Sequence, residues 1–302
     1  MALRNFRLSH LGNTGRGILW MIFAALGFTL LDAIAKHLSQ TYPVPQIVWA
    51  RFTFNTILVA IIFNKRLPGL MATAHVGHQV LRSLLVLVFT GVLFLALKHL
   101  PLADVSAIIF LTPLIVALLS MPLLGERVDP RTIASVFVGF AGAVIIIRPT
   151  SDAFQIVAFI PLTAALMYAL YQVSTRVLSR TDSVLTTFAY SSLVAALGAS
   201  TIVPFLWVAP SPEGWTLMML MGGLGAVAQF ALIKALTLAP AATVSPFGYV
   251  SLVWAIVLGF VIFGEIPSAA MLVGALIIVG SGLYIFRREH GAAQAPALRR
   301  TS

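Results

Sequence analysis

One apolar segment occurs twice in this chain. Residues 96–126 read ALKHLPLADVSAIIFLTPLIVALLSMPLLGE, and residues 235–265 read ALTLAPAATVSPFGYVSLVWAIVLGFVIFGE. The two align without a gap at an offset of 139. Pro101 falls on Pro240, Ala103 on Ala242, Val105 on Val244 and Ser106 on Ser245, and the Gly125-Glu126 pair falls on Gly264-Glu265. A duplication of this length restricts the fold to one assembled from two copies of a unit.

The solvent of that unit follows from its charge. Of 302 residues, 60% are hydrophobic and only 9% are charged, where soluble domains carry about 25%. So few charges cannot cover a water-exposed surface, whereas lipid accepts apolar side chains on the outside. The chain has no cysteine, which removes disulfides, zinc thiolates and thiol nucleophiles. The net charge of +10 does not mark a nucleic-acid binder. The basic residues are scattered between apolar runs instead of gathering on one face.

A helix crossing about 30 Å of hydrocarbon needs about 20 residues. Ten segments qualify: 17–38, 45–64, 77–97, 102–123, 131–148, 155–177, 184–207, 214–235, 241–263 and 268–287. They are spans 1 to 10 below. The first, preceded by Arg4, Arg7 and Arg16, is longer than a signal-peptide core and has no cleavage site behind it, so it is expected to stay. Connections are short, so neighbouring spans run antiparallel. Asp129-Pro130 is expected to cap and open span 5, and Pro101 and Pro240 to open spans 4 and 9. Pro113, Pro161, Pro204 and Pro246 are expected to bend spans from within.

Basic residues set the orientation. With the N-terminus in the cytoplasm, fourteen of nineteen lie on the inner side: Arg4, Arg7, Arg16, Lys65, Arg66, Arg127, Arg131, Arg176, Arg180, Lys234, Arg287, Arg288, Arg299 and Arg300. Lys36, Lys98 and Arg148 lie outside, and Arg51 and Arg82 fall within spans. Both termini are thus expected in the cytoplasm. Each copy has five spans, an odd number, so the second copy enters the membrane upside down. The expected fold is all-α integral membrane, with ten transmembrane helices in two inverted five-helix repeats, 17–148 and 155–287, between cytoplasmic tails 1–16 and 288–302. Inverted repeats give two similar states, each open to one side, and rocking interconverts them.

With these motifs the chain resembles the drug/metabolite transporter superfamily, specifically bacterial carriers with two EamA-type domains. The Gly-Glu pairs ending spans 4 and 9 and the Pro-x-Ala segments opening them carry the resemblance, which covers nearly the whole chain. It implies ten spans, a central cavity between the halves, alternating access and a bacterial inner membrane. The runs YPVPQIVWARF (42–52) and LPLADVSAIIFLTPL (100–114), with the Ser245-Pro246-Phe247-x-Tyr249 segment, are similar to the riboflavin-uptake branch. They are similar as well to carriers of S-adenosylmethionine and of amino acids.

Ionisable groups inside a bilayer need partners or water. Asp32 sits about 9 Å from the outer end of span 1, and Arg51 at similar depth in span 2. Either they face the cavity, binding a polar substrate or carrying a coupling proton, or Asp32 pairs with Lys36 one turn away and Arg51 snorkels past Trp49. Arg82 is expected to snorkel from span 3, Asp104 and Lys98 to pair at the surface, and Glu126 and Glu265 to cap or bridge neighbouring spans. Gln172 holds in span 6 the place of Asp32 in span 1, at an offset of 140, and Gln229 lies mid-span 8. Trp20, Trp49, Trp207 and Trp215 suit a membrane interface. Tyr168, Tyr249 and Trp254 lie deeper, where their polar tips need partners and their rings suit a planar substrate. The substrate-binding candidates are therefore Asp32, Arg51, Tyr168, Gln172, Gln229, Tyr249 and Trp254. Gly139, Gly142, Gly222, Gly223, Gly225, Gly274, Gly280 and Gly282 are expected to be helix-packing surfaces.

No phosphate-binding loop is present, which removes primary ATP-driven pumping by this chain. An intramembrane enzyme would need paired aspartates, a serine with histidine, or a metal set. The six histidines lie near surfaces or loop ends, and His75 and His78 have no carboxylate beside them. No cofactor and no metal is expected. The expected function is secondary transport of a small planar or amphipathic metabolite, best read as riboflavin uptake. Export of amino acids or drugs and carriage of S-adenosylmethionine are the alternatives. The expected partners are that substrate and the bilayer, with no nucleic acid and with a homodimer left open.

Overall fold

The computed structural model describes residues 12–63, 72–125, 130–148, 156–179 and 181–298. Glu126 and Asp129, assigned capping or bridging roles above, lie outside the described residues. The chain is all-helical among the described residues. Span 1 is Asn13–Leu38, span 2 Val44–Phe63, span 3 Val76–His99 and span 5 Pro130–Ile147. Span 6 is Ile160–Leu178, span 7 Val184–Ser200, span 8 Pro212–Leu238 and span 10 Ala269–Leu298. Helix therefore runs through most of the expected C-terminal tail.

Spans 4 and 9 are broken. Span 4 is Leu102–Ile109 followed by Thr112–Leu124. Span 9 is a turn of helix at Ala241–Val244, a 3-10 segment at Ser245–Tyr249, then Val250–Phe263. The prolines explain where the breaks fall. Pro113, Pro161, Pro204 and Pro246 each stand in the first turn of a new helical segment, not inside one. Proline lacks an N–H, and a first turn has no intrahelical acceptor for one. The expected internal bends are thus segment starts, while Pro122 lies inside the second segment of span 4. Both broken spans end alike, at Gly125 with φ 67° and Gly264 with φ 66°. That left-handed conformation favours glycine.

Nine of the described helical stretches are long and apolar enough to cross a membrane. Span 6, 19 residues long, is the more polar exception because it carries Tyr168, Tyr171, Gln172, Ser174, Thr175 and Arg176. Large apolar side chains such as Phe137, Phe230, Phe260, Val261 and Leu276 point outward and are exposed, as a lipid-facing surface requires.

Packing couples the halves. Span 1 packs on span 8 and span 6 on span 3; span 2 packs on span 8 and span 7 on span 3; span 1 packs on span 9 and span 6 on span 4. Spans 5 and 10, 2 and 7, and 4 and 9 pair directly. Exchanging each span with its repeat mate leaves this set unchanged, which is the mark of a pseudo-two-fold. Contacts also fix the sense of the axis. The start of span 1, at Gly17, lies against Ala239 and Val244 at the start of span 9. Its end, at Lys36, lies against Leu100 before span 4 and Glu265 after span 9. Spans 1 and 9 are therefore parallel, span 4 is antiparallel to both, and the duplicated segments are inverted. The side holding the start of span 1 is the terminal face below; the other is the distal face.

Glycines set the closest approaches. A Cβ at Gly27 would lie 2.9 Å from the Cβ of Ala228, and one at Gly142 would lie 2.8 Å from the carbonyl oxygen of Gly274. Gly139, Gly222 and Gly282 are equally confined, whereas Gly223 and Gly280 face open space and are not packing positions. Gly142→Val is expected to pry span 5 from span 10 at a cost of about 1–3 kcal/mol. The unfolding midpoint in detergent should fall, while Gly223→Ala leaves it in place.

Candidate functional site

Between the halves lies a cavity of about 260 Å³. Span 1 contributes Asp32, span 2 Arg51, span 6 Tyr168 and Tyr171, and span 8 Gln229. Phe89 of span 3 and Phe110 at the break in span 4 complete its aromatic wall. A second cavity of about 330 Å³ lies at the terminal face, lined by Gln172, Arg176, Ser245, Tyr249 and the end of span 10. The candidates thus fall in three groups. Asp32, Arg51, Tyr168 and Gln229 share the central cavity, and Gln172 and Tyr249 share the second. Trp254 lines neither, and its indole nitrogen is buried without a partner.

The central wall is a ladder of rings. Phe89 stacks on Tyr168 at 4.5 Å between centroids and 20° between planes, and Tyr168 stacks on Tyr171 at 5.8 Å and 13°. Two opposite charges share this cavity without being consumed by the protein. Among the described residues, neither Asp32 nor Arg51 makes an ion pair or side-chain hydrogen bond. Arg51 does not snorkel: its guanidinium lies over the rings of Phe52 at 5.4 Å and Phe94 at 5.5 Å. One terminal nitrogen of that group is buried with no partner. A buried donor left open is costly unless something else supplies the acceptor. The pair can therefore take a ligand edge that accepts from Arg51 and donates to Asp32.

Lys36, expected to pair with Asp32, is engaged elsewhere. Its Nζ lies 2.7 Å from Oε1 of Glu265 and donates to the carbonyl of Leu100 at 2.5 Å. The Leu102 N–H donates to the other Glu265 oxygen at 2.8 Å. Span 1, the start of span 4 and the end of span 9 are thereby tied together at the distal face. Glu265 bridges as expected. Lys98 and Asp104 form no ion pair with one another, and Lys98 stays exposed. Lys36→Met strands the Glu265 carboxylate and is expected to destabilise the protein by about 1–3 kcal/mol. Adding Glu265→Gln should recover part of that loss. A double-mutant cycle by thermal unfolding is expected to give a coupling of at least ~1 kcal/mol.

Arg82 corrects the sequence reading most plainly. It is buried, not snorkelling. Its Nε donates to Thr175 Oγ1 at 2.7 Å, one terminal nitrogen to Ser191 Oγ at 2.5 Å and to the Thr187 carbonyl at 3.1 Å, and the other to the Tyr171 hydroxyl at 2.6 Å. The guanidinium also sits 4.3 Å from the Tyr171 ring centroid. Arg82 holds the lower rung of the ring ladder. Its partners are legible in hindsight, because Thr187 and Ser191 stand four apart on span 7 and face span 3 together. Phe89 and Phe110, apolar residues among many, carried no signal of their own.

An inverted pair of five-helix bundles, with a cavity between the halves that holds Asp32, Arg51 and Gln229 and a tie across one end, defines a multi-pass membrane transporter. The chain belongs to the EamA-like transporter family, whose description matches residues 15–148 and 155–287. It is 29% identical to a riboflavin transporter of Brucella anthropi over 91% of this chain and 99% of that one. It is 25% identical to an S-adenosylmethionine uptake transporter of Rickettsia conorii, over 91% of this chain and 94% of that protein. It is 28% identical to a pseudopaline exporter of Pseudomonas aeruginosa, over 91% and 97%. A solved crystal structure shares the fold with a TM-score of 0.59 at 22% identity, covering 90% of this chain and 98% of its own.

Proposed function

We propose that this transporter takes up riboflavin across the bacterial inner membrane, with both termini in the cytoplasm and the two repeats, 17–148 and 155–287, rocking about the central cavity. The observation that carries this reading is the parallel Phe89–Tyr168–Tyr171 wall beside Asp32 and Arg51, one of whose terminal nitrogens is buried without a hydrogen-bond partner. A flat isoalloxazine stacks on such a wall. Its carbonyl–NH–carbonyl edge offers acceptors to Arg51 and a donor to Asp32. Similarity to a riboflavin transporter along nearly the whole chain supports the same substrate.

Carriage of S-adenosylmethionine is the second reading, favoured by the unpaired Asp32 carboxylate, which suits a cationic sulfonium. Growth separates the two. Expression should let a riboflavin auxotroph grow at low external vitamin, and purified protein in liposomes should take up labelled riboflavin. If uptake of S-adenosylmethionine, or raised resistance to a toxic amino-acid analogue, appears instead, riboflavin uptake is wrong.

Asp32 is assigned the coupling proton, since it is the acid that lines the central cavity and makes no ion pair or side-chain hydrogen bond among the described residues. Asp32→Asn is expected to abolish uptake driven by a pH gradient while leaving substrate exchange. Gradient-driven uptake at full rate in that variant would remove the role.

A further inference from the structure

We infer that Phe110 and Tyr249 form the barrier that closes the central cavity toward the terminal face, and that their parting admits substrate between the two cavities. The two residues are repeat mates at the offset of 139. Each stands at the break of its own span: Phe110 caps the end of Leu102–Ile109, and Tyr249 precedes Val250–Phe263. Their rings meet at 4.7 Å between centroids with planes at 42°. Two rings at that separation are in van der Waals contact and leave no room for water between them.

Phe110 is part of the wall of both cavities, and Tyr249 lines the one at the terminal face. The ring pair thus stands where the two spaces adjoin. The opposite end of the central cavity is tied by Lys36 and Glu265. The Lys36–Glu265 tie thus lies at the distal end, and the ring pair stands between the central cavity and the terminal vestibule. The breaks give these rings a means of moving. A residue between two helical segments turns without carrying a whole helix with it, and irregular backbone at membrane depth is tolerated where it lines a cavity. A flat substrate suits this barrier because it can enter by stacking between rings that open like a book.

The test does not depend on the identity of the substrate. The chain has no cysteine, so single reporters are clean. Ser106→Cys reports on the central cavity and Ser245→Cys on the vestibule. Each is labelled with a membrane-impermeant thiol reagent in vesicles of both orientations. From the side on which Ser245→Cys reacts, Ser106→Cys should react slowly. Adding Phe110→Ala or Tyr249→Ala should raise its rate at least tenfold, with the Ser245→Cys rate unchanged as the sign of an intact fold. Phe110→Leu, which keeps an apolar side chain but no flat ring, should give a smaller rise and guards against a poorly folded alanine variant. Labelling of Ser106→Cys as fast as Ser245→Cys with both rings present would overturn the proposal. So would a rate that stays the same after the rings are removed.

Discussion

Replacing Arg51 by glutamine is expected to weaken substrate binding by about 10- to 100-fold while leaving the protein folded. The size follows from the hydrogen bond at stake. A bond to a charged group contributes about 1.5–3 kcal/mol, and each 1.4 kcal/mol is about tenfold in affinity. The selectivity for function over folding follows from geometry. The guanidinium has no protein acceptor among the described residues and packs on the rings of Phe52 and Phe94. Glutamine keeps the stem and a smaller donor, so the aromatic surroundings lose little. Binding measured by tryptophan fluorescence or isothermal titration should fall, and the unfolding midpoint should hold. A variant that unfolds at much lower temperature but binds normally once folded would show that Arg51 is structural.

Arg82→Leu is expected to do the reverse first. Four hydrogen bonds disappear at once, and the Thr187 carbonyl and the Tyr171 hydroxyl lose a charged donor in a buried setting. Ser191 and Thr175 keep their own donations to backbone carbonyls of the preceding turn, so they lose only an acceptor role. A net destabilisation on the order of 3 kcal/mol is expected. Lysine cannot present the planar fork that reaches four partners, so Arg82→Lys should recover only a minor part. Transport should fall as well, because Tyr171 is the lower ring of the stack against which Tyr168 lies. Full stability in Arg82→Leu would mean that spans 3, 6 and 7 are held by apolar packing alone.

These two arginines show what could be read from residues and what could not. Both were visible as charges inside apolar runs, and for both snorkelling to the membrane surface was weighed. Neither does so, for reasons that lie in the packing around each. Arg82 finds hydroxyls on spans 6 and 7, and Arg51 finds rings on spans 2 and 3. A snorkelling side chain needs only its own helix and the water beyond, so one sequence is enough to imagine it. A buried arginine needs neighbours that only packing names. Lys36 is the same lesson in another form. Its partner one turn away on the same helix, Asp32, was the nearest in sequence, but the partner in space is Glu265.

The order of the spans, their number and the inversion of the halves were legible because they depend on local hydropathy and on parity. An apolar run of given length must cross the bilayer, and five crossings per copy must turn the second copy over. The breaks in spans 4 and 9 were half legible: the prolines announced them, but as bends instead of new starts. The duplicated Gly-Glu ends became two left-handed caps at the same place in each copy. The division of the candidate residues between two cavities belongs to the tertiary structure alone. Asp32 and Gln172 occupy matching places in their repeats, yet inversion sends one to the central cavity and the other to the terminal vestibule. Chain order by itself settles which helices exist and how neighbours alternate, because water and lipid act on every segment separately. Which side chains meet was decided by close packing between spans, where residues far apart in the chain come together, as Lys36 does with Glu265 and Arg82 with Ser191.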